Sequence, residues 1–332
     1  MKRALALLAL ATCGQLAGAT DSPPILERML EAARTLNYRG HVVQIEGTQA
    51  QTLHLLHRAG RDAGEDRVHS LQGAYWELLR TGARCRVAMS DARQPHDEAI
   101  VAAAFPSLVP ERLLRLTEFY EFTPIGTGRF ADRKAEFTLT QPRDGYRFAH
   151  LLVTDAASGL LLKAGLVDQR GQMLRQVFFV DLQLLPALTE AEWRQPEHAA
   201  PAALTWTEHN LKRAPAPVAV PWQIGPLPPG FAVSGYARRP MPGSEIEVEQ
   251  ITLSDGLATV SVFIDTQATA DKDSLGARHV AAMPAFDAAV AGRHVTVLGA
   301  APFPALRQIA GAIGPRPSDT PSAPPSSSAD AP

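Results

Sequence analysis

Few residues in this chain of 332 have the type and spacing that chemistry needs. The pair in His54-Leu-Leu-His57 would share one face of a helix and could ligate a metal there. The surrounding residues read as a strand, on which positions i and i+3 face opposite ways, so the two cannot hold one ion. Gly126-Thr-Gly-Arg-Phe-Ala131 matches the outline of a dinucleotide-binding loop. That chemistry needs a helix N-terminus behind the glycines to meet the phosphate, and strand-like Glu136–Thr140 follows instead. Cys85 stands between Arg84 and Arg86, which would lower a thiol pKa if all three were exposed; within Cys85–Met89 it reads instead as an inward strand residue. Ser254-Asp255-Gly256 reads as an ordinary hairpin turn, and Glu27/Glu31 and Glu245/Glu247 as solvated faces. No Walker A, HExxH or GxSxG string occurs. The sequence nominates no catalytic residue, no metal ligands and no cofactor. A hydrolase assembled from distant loops remains a third reading with no residue to carry it.

The elements that hold these residues are mostly strands. A helix is predicted over Pro24–Leu36, where Ile25, Met29, Ala32, Ala33 and Leu36 recur at helical spacing. Short apolar runs separated by turn residues then predict strands at Tyr38–Glu46, Thr52–Arg58, Tyr75–Arg80 and Cys85–Met89. After a helical interruption around Pro110–Tyr120, strands follow at Phe119–Ile125, Phe130–Thr140, Phe148–Thr154, Leu160–Val167 and Met173–Leu182. Alternation is imperfect: Val177 and Phe179 point one way, Phe178 and Val180 the other. A sheet with one wet face alternates cleanly, so both faces here are covered, at least in part. Helices can cover one face; the other needs a second layer, a partner or an apolar ligand.

Composition narrows the class. With 45% hydrophobic and 20% charged residues the chain is globular, and a net charge of −2 disfavours a nucleic-acid binder. Lys2 and Arg3, the apolar run Ala4–Ala11 and the small-residue site Ala17-Gly-Ala19 make residues 1–19 a secretory signal peptide. A lipoprotein site at Cys13 is the weaker reading, because Thr12 is a poor residue before the cysteine. The mature chain is expected in the periplasm with Cys85 alone, so no internal disulfide joins its parts. Nine prolines between Pro186 and Pro229 mark a connector, and Pro315–Pro332 cannot bury a core. The expected layout is a first domain at 20–190, a linker at 191–226, a second domain at 227–314 and a disordered tail at 315–332. The second domain is expected to hold strands at Phe231–Arg239, Glu245–Leu253, Leu257–Asp265 and His294–Leu298 and a closing helix at Pro302–Ile313.

Several stretches go beyond this texture: Asn37-Tyr-Arg-Gly40, Arg129-Phe-Ala-Asp-Arg133, Pro142-Arg-Asp-Gly-Tyr146, Ser158-Gly-Leu-Leu-Leu-Lys163 and Gln169-Arg-Gly171. Farther on come Leu227-Pro-Pro-Gly-Phe231, Leu253-Ser-Asp-Gly-Leu-Ala258, Ser261-Val-Phe-Ile264 and Val295-Thr-Val-Leu-Gly299. In this order they resemble the RseB/MucB family of periplasmic regulators of the sigma-E envelope-stress response. The resemblance implies an α+β protein. Its N-terminal domain would be a curved antiparallel half-barrel with helices, like the lipoprotein carriers LolA and LolB, followed by a smaller C-terminal α/β domain. It also implies a non-catalytic function: binding the periplasmic region of the anti-sigma factor RseA and shielding it from regulated proteolysis. Lipid or lipopolysaccharide acyl chains would relieve that shielding, and self-association is left open. The chain departs from the family at Asp132, where Gly is usual, at Val153 in place of Trp, and at Ala300, where an acid is expected. Val43, Leu55, Phe148 and Phe179 are the candidates for the wall of a lipid cavity, with core packing as their other role. The alternative function is a lipid or lipoprotein carrier of LolA/LolB type, which would not need residues 227–314.

Overall fold

The computed structural model describes residues 24–60, 64–81, 84–90, 116–194, 204–210, 220–240, 247–255, 257–269, 275–280 and 282–315. The expected signal peptide, Cys13, the tail beyond Pro315 and the helical stretch before Leu116 lie outside them. Helix α1 (Pro24–Thr35) turns Leu26, Met29, Ala32 and Ala33 inward, as its spacing predicts.

Eleven antiparallel strands form the first sheet. In chain order they are β1 (Asn37–Glu46), β2 (Gln49–Arg58), β3 (Glu65–Ser70), β4 (Trp76–Thr81), β5 (Arg84–Met89), β6 (Tyr120–Phe130), β7 (Arg133–Pro142), β8 (Ala149–Asp155), β9 (Leu161–Val167), β10 (Met173–Leu185) and β11 (Thr205–Asn210). Two meanders, β1 to β5 and β6 to β10, are joined where β1 pairs with β10, and β11 returns from the proline-rich stretch to pair with β5. The dinucleotide-like Gly126–Ala131 stretch runs through β6 into its turn with β7, with no helix behind it. At that turn Ala131 and Asp132 both have positive φ, 47° and 59°. A left-handed position is where glycine costs least, so Asp132 holds this turn at a conformational cost that Gly would not carry. Short helices α2 (Leu116–Phe119) and α3 (Glu190–Arg194) flank β6 and β10.

Strand β3 was not legible in the sequence, because Glu65-Asp-Arg-Val-His-Ser70 carries one aliphatic residue. Its place between β2 and β4 gives Asp66 and His69 buried positions among polar cross-strand neighbours.

The second sheet has six antiparallel strands in the order β12-β13-β14-β17-β16-β15. These are β12 (Ala232–Pro240), β13 (Glu247–Ser254), β14 (Thr259–Thr269), β15 (Gly276–Val280), β16 (Met283–Val290) and β17 (Arg293–Gly299). Pro302 opens helix α4 (Phe303–Ala312), which lays Ala305, Leu306, Ile309 and Ala310 on the core of Ile251, Val260, Val262, Val295 and Val297. Burying each of the Leu, Ile and Val side chains among them stabilises by roughly 1.5–3 kcal/mol before chain entropy is counted. Trp222, within the proline-rich stretch, joins this core and donates its indole N–H to Glu249 Oε2.

Candidate functional site

Directly opposite residues in a sheet point to the same side, so the register separates the two faces of the large sheet. The inner face is the one on which α1 packs. It carries Tyr38, Val42, Leu53, Leu55, Val68, Leu78, Cys85 and Val87, in one apolar cluster with Leu26, Met29 and Ala32 of the helix. Of the candidate wall residues, Leu55 and Phe179 lie on this face, both buried, with Phe179 edge-on to Tyr38 at 6.0 Å. Val43, half-buried, pairs with Thr52 and Phe178 on the opposite face. Phe148 is buried elsewhere, against residues of the second sheet. The register therefore brings two of the four together. Cys85 has no exposure and sits inward.

A polar network pins α1 to the inner face. His57 Nδ1 lies 2.5 Å from Asp66 Oδ1, and His57 Nε2 lies 2.8 Å from the Ala33 carbonyl near the helix C-terminus. Arg80 donates to the other Asp66 oxygen, and Tyr38 stacks on the imidazole at 4.5 Å. Burial first, then the Asp66 charge, pushes the Tyr38 hydroxyl pKa well up. Farther along the helix, Arg28 donates to Glu136 at 2.7 Å and to the Ala156 carbonyl at 2.8 Å, so α1 bridges both meanders. His54, as strand alternation requires, faces the other way. There it forms a row with His41 and His69, ring centroids 5.5 and 5.0 Å apart, with Asp181 accepting from His41 at 2.7 Å. Among the described residues no group of His, Cys, Asp and Glu has a metal-binding arrangement.

The second feature is the seam between the two sheets, built around Arg147. Its side chain has no exposure, and its guanidinium is used on every edge. Nε donates to Asp255 Oδ2 at 2.5 Å, one terminal nitrogen donates to Asp144 and the other to the Pro229 carbonyl. Phe119 and Phe231 lie against the planar group, 4.3 and 5.1 Å from ring centre to Cζ. Asp255 Oδ1 accepts from the backbone N–H of Leu257 and Ala258 at 2.9 and 2.7 Å, holding its own turn. The hairpin reading of Ser254-Asp255-Gly256 is correct for one oxygen; the other reaches into the first sheet. Gly230 has φ +82°, and a Cβ there would meet Phe119 at 2.5 Å and Arg147 at 2.7 Å. Only glycine lets the Pro229 carbonyl come this close.

Beside this knot Phe148 and Leu166 of the first sheet pack on Met283 and Ala300 of the second. Ala300, where the resemblance implies an acid, fills an apolar contact. Sequence reasoning missed Arg147, which reads as a surface charge; the signal was that Pro142–Tyr146, Leu227–Phe231 and Leu253–Ala258 all converge on it.

Known proteins share this build. The MucB/RseB N-terminal domain model matches residues 21–197 and the MucB/RseB C-terminal domain model residues 217–314. The regulatory protein MucB of the sigma factor AlgU in Pseudomonas aeruginosa is 28% identical over 90% of this chain and 92% of its own length. The sigma-E factor regulatory protein RseB of Escherichia coli K12 is 24% identical over 76% and 79%. A crystal structure of MucB in complex with MucA(peri) superposes with a TM-score of 0.66 at 26% identity, covering 89% of this chain and 99% of that one. The two family models follow one another along the chain in the order of the two sheets that Arg147 joins, and the chain belongs to the MucB/RseB family.

Proposed function

We propose that this chain is a non-catalytic negative regulator of a sigma-E-type envelope-stress response. It holds the periplasmic region of a membrane anti-sigma factor and keeps that region from the protease that starts signalling. Support comes from relatives named as regulators of AlgU and sigma-E, and from a MucB structure in complex with MucA(peri) that covers nearly all of this chain. The periplasm is the compartment this reading requires. Within it, residues 20–190 take the lipid signal and residues 227–314 form the smaller domain, with the stretch between as connector.

The observation that carries the reading is the buried seam at Arg147. A carrier that only shuttled lipid would need the first sheet alone; here a fully buried ion pair fixes a second sheet against it. Acyl chains bound on the inner face would relieve the inhibition. Each buried CH2 is worth about 0.8 kcal/mol, so one chain supplies several kcal/mol toward an arrangement that releases the partner. The test is capture of the mature chain by the partner's periplasmic segment, with and without added lipid. Capture that lipid weakens is expected; lipid co-purifying while the segment is ignored would leave only the carrier reading.

A further inference from the structure

Among the described residues, the inner face of the large sheet carries buried polar atoms without hydrogen-bond partners. One rung across five strands reads Phe122, Thr140, His150, Leu166 and Arg175, on β6, β7, β8, β9 and β10 in turn. Thr140 and His150 stand directly opposite one another and are 1% and 8% exposed. Among the described residues Thr140 Oγ1 and His150 Nε2 are buried with no hydrogen-bond partner, as is Gln44 Oε1 on β1 of the same face. Arg175, half-buried, makes no ion pair among the described residues, although Glu46 stands directly opposite it on β1. Burial first and the Arg175 charge second hold His150 down to a pKa of about 3, so the guanidinium acts on a neutral imidazole.

Orphaned buried polar groups cost stability, and native proteins keep them where water or a ligand completes them. Thr140, His150 and Arg175 share one rung and one capability. A threonine hydroxyl, an imidazole with its proton on Nε2 and a guanidinium can each donate, so one acceptor oxygen would serve all three. Gln44 Oε1, on the neighbouring rung, is itself an acceptor. Leu152 and Val177 on the neighbouring rung, with Phe122 on the same one, give that oxygen an apolar surround, while Leu166 of that rung packs on Met283 and Ala300 of the second sheet.

We propose that Thr140, His150 and Arg175 form the carbonyl-binding end of an acyl-chain site on the inner face, taking a fatty acid or its ester. This rests on the lipid-relief reading above and names the part of the ligand that is recognised. The acyl carbonyl accepts from Thr140 and His150, Arg175 adds charge for a free carboxylate, and the chain runs along the apolar rungs.

Calorimetric titration of the mature chain with decanoic acid, methyl decanoate and decan-1-ol tests it. The acid and the ester are expected to bind about tenfold or more tighter than the alcohol. Thr140→Val should reduce that preference for both, more for the ester than for the acid that Arg175 still holds, while raising Tm, because it removes an orphaned hydroxyl. Arg175→Met should weaken the acid more than the ester. Equal binding of all three, or binding of none, would overturn the proposal and leave ordered water as the occupant. So would a Thr140→Val variant with lowered Tm and unchanged affinity, since the hydroxyl would then be structural. Capture of the partner segment, measured without lipid on the same protein, separates the two failures. Loss of selectivity with capture intact sinks only this site; decanoate binding without capture sinks the regulator reading.

Discussion

Arg147 Nε donates to Asp255 Oδ2 at 2.5 Å across the boundary between the two sheets, and neither side chain has any solvent exposure. Removing one member of such a pair leaves an uncompensated buried charge. Arg147→Met and Asp255→Ala are each expected to cost about 3–5 kcal/mol. The double variant should cost much less than their sum. Urea denaturation of the four proteins measures this; additive losses would show that the two residues act separately.

Gly230→Ala tests the close approach of the Pro229 carbonyl. The substitution demands positive φ from an L-residue and pushes a methyl into Phe119 and Arg147. A loss exceeding ~1 kcal/mol is expected. A variant as stable as the parent would mean that the seam has room to shift.

His150 sets an acid limit. In the folded chain burial, aided by Arg175, lowers its pKa to about 3, whereas the unfolded chain takes up this proton near the ordinary value of about 6.5. The stability it contributes is therefore complete above about pH 6.5 and falls as pH drops toward 3, by about 1.4 kcal/mol per pH unit. His150→Phe should flatten the decline in Tm between pH 6.5 and 4. An unchanged slope would assign the decline to the carboxylates.

Cys85 should be silent to thiol reagents in the native chain and react only on unfolding, since the side chain is fully buried. Labelling followed across a urea series checks this, and rapid labelling in buffer would contradict the inward placement. Cys85→Ser, which buries a hydroxyl in the same space, is expected to destabilise by about 1–3 kcal/mol.

Periodicity reaches only what one strand or helix dictates. It placed α1 and α4 and most strands, and it set His54 and His57 on opposite faces, because these follow from alternation within an element. It failed at β3, where Asp66 is buried because His57 and Arg80 arrive from neighbouring strands, and pairings of that kind have no signature in local spacing. It failed too at β15, an edge strand whose residues are largely exposed and carry no inward stripe. The same limit applies to function. Leu55 and Phe179 share a face only because β1 separates β2 from β10, and Val43 faces away because it follows Val42. Arg147 was invisible for the same reason: Asp255 and Pro229 are far from it along the chain.

The return of β11 to the edge of the first sheet fixes how far the two halves can part. Asn210 is held in that sheet by its pairing with Arg84, and Val220 packs in the second core. The ten Cα-to-Cα steps from Asn210 to Val220 can span at most about 36 Å. A seam that opens therefore leaves Asp255 tied to Arg147 through that length of chain, which acts as a leash. Reclosure stays a first-order event that ignores dilution, until a cut in the leash makes it bimolecular.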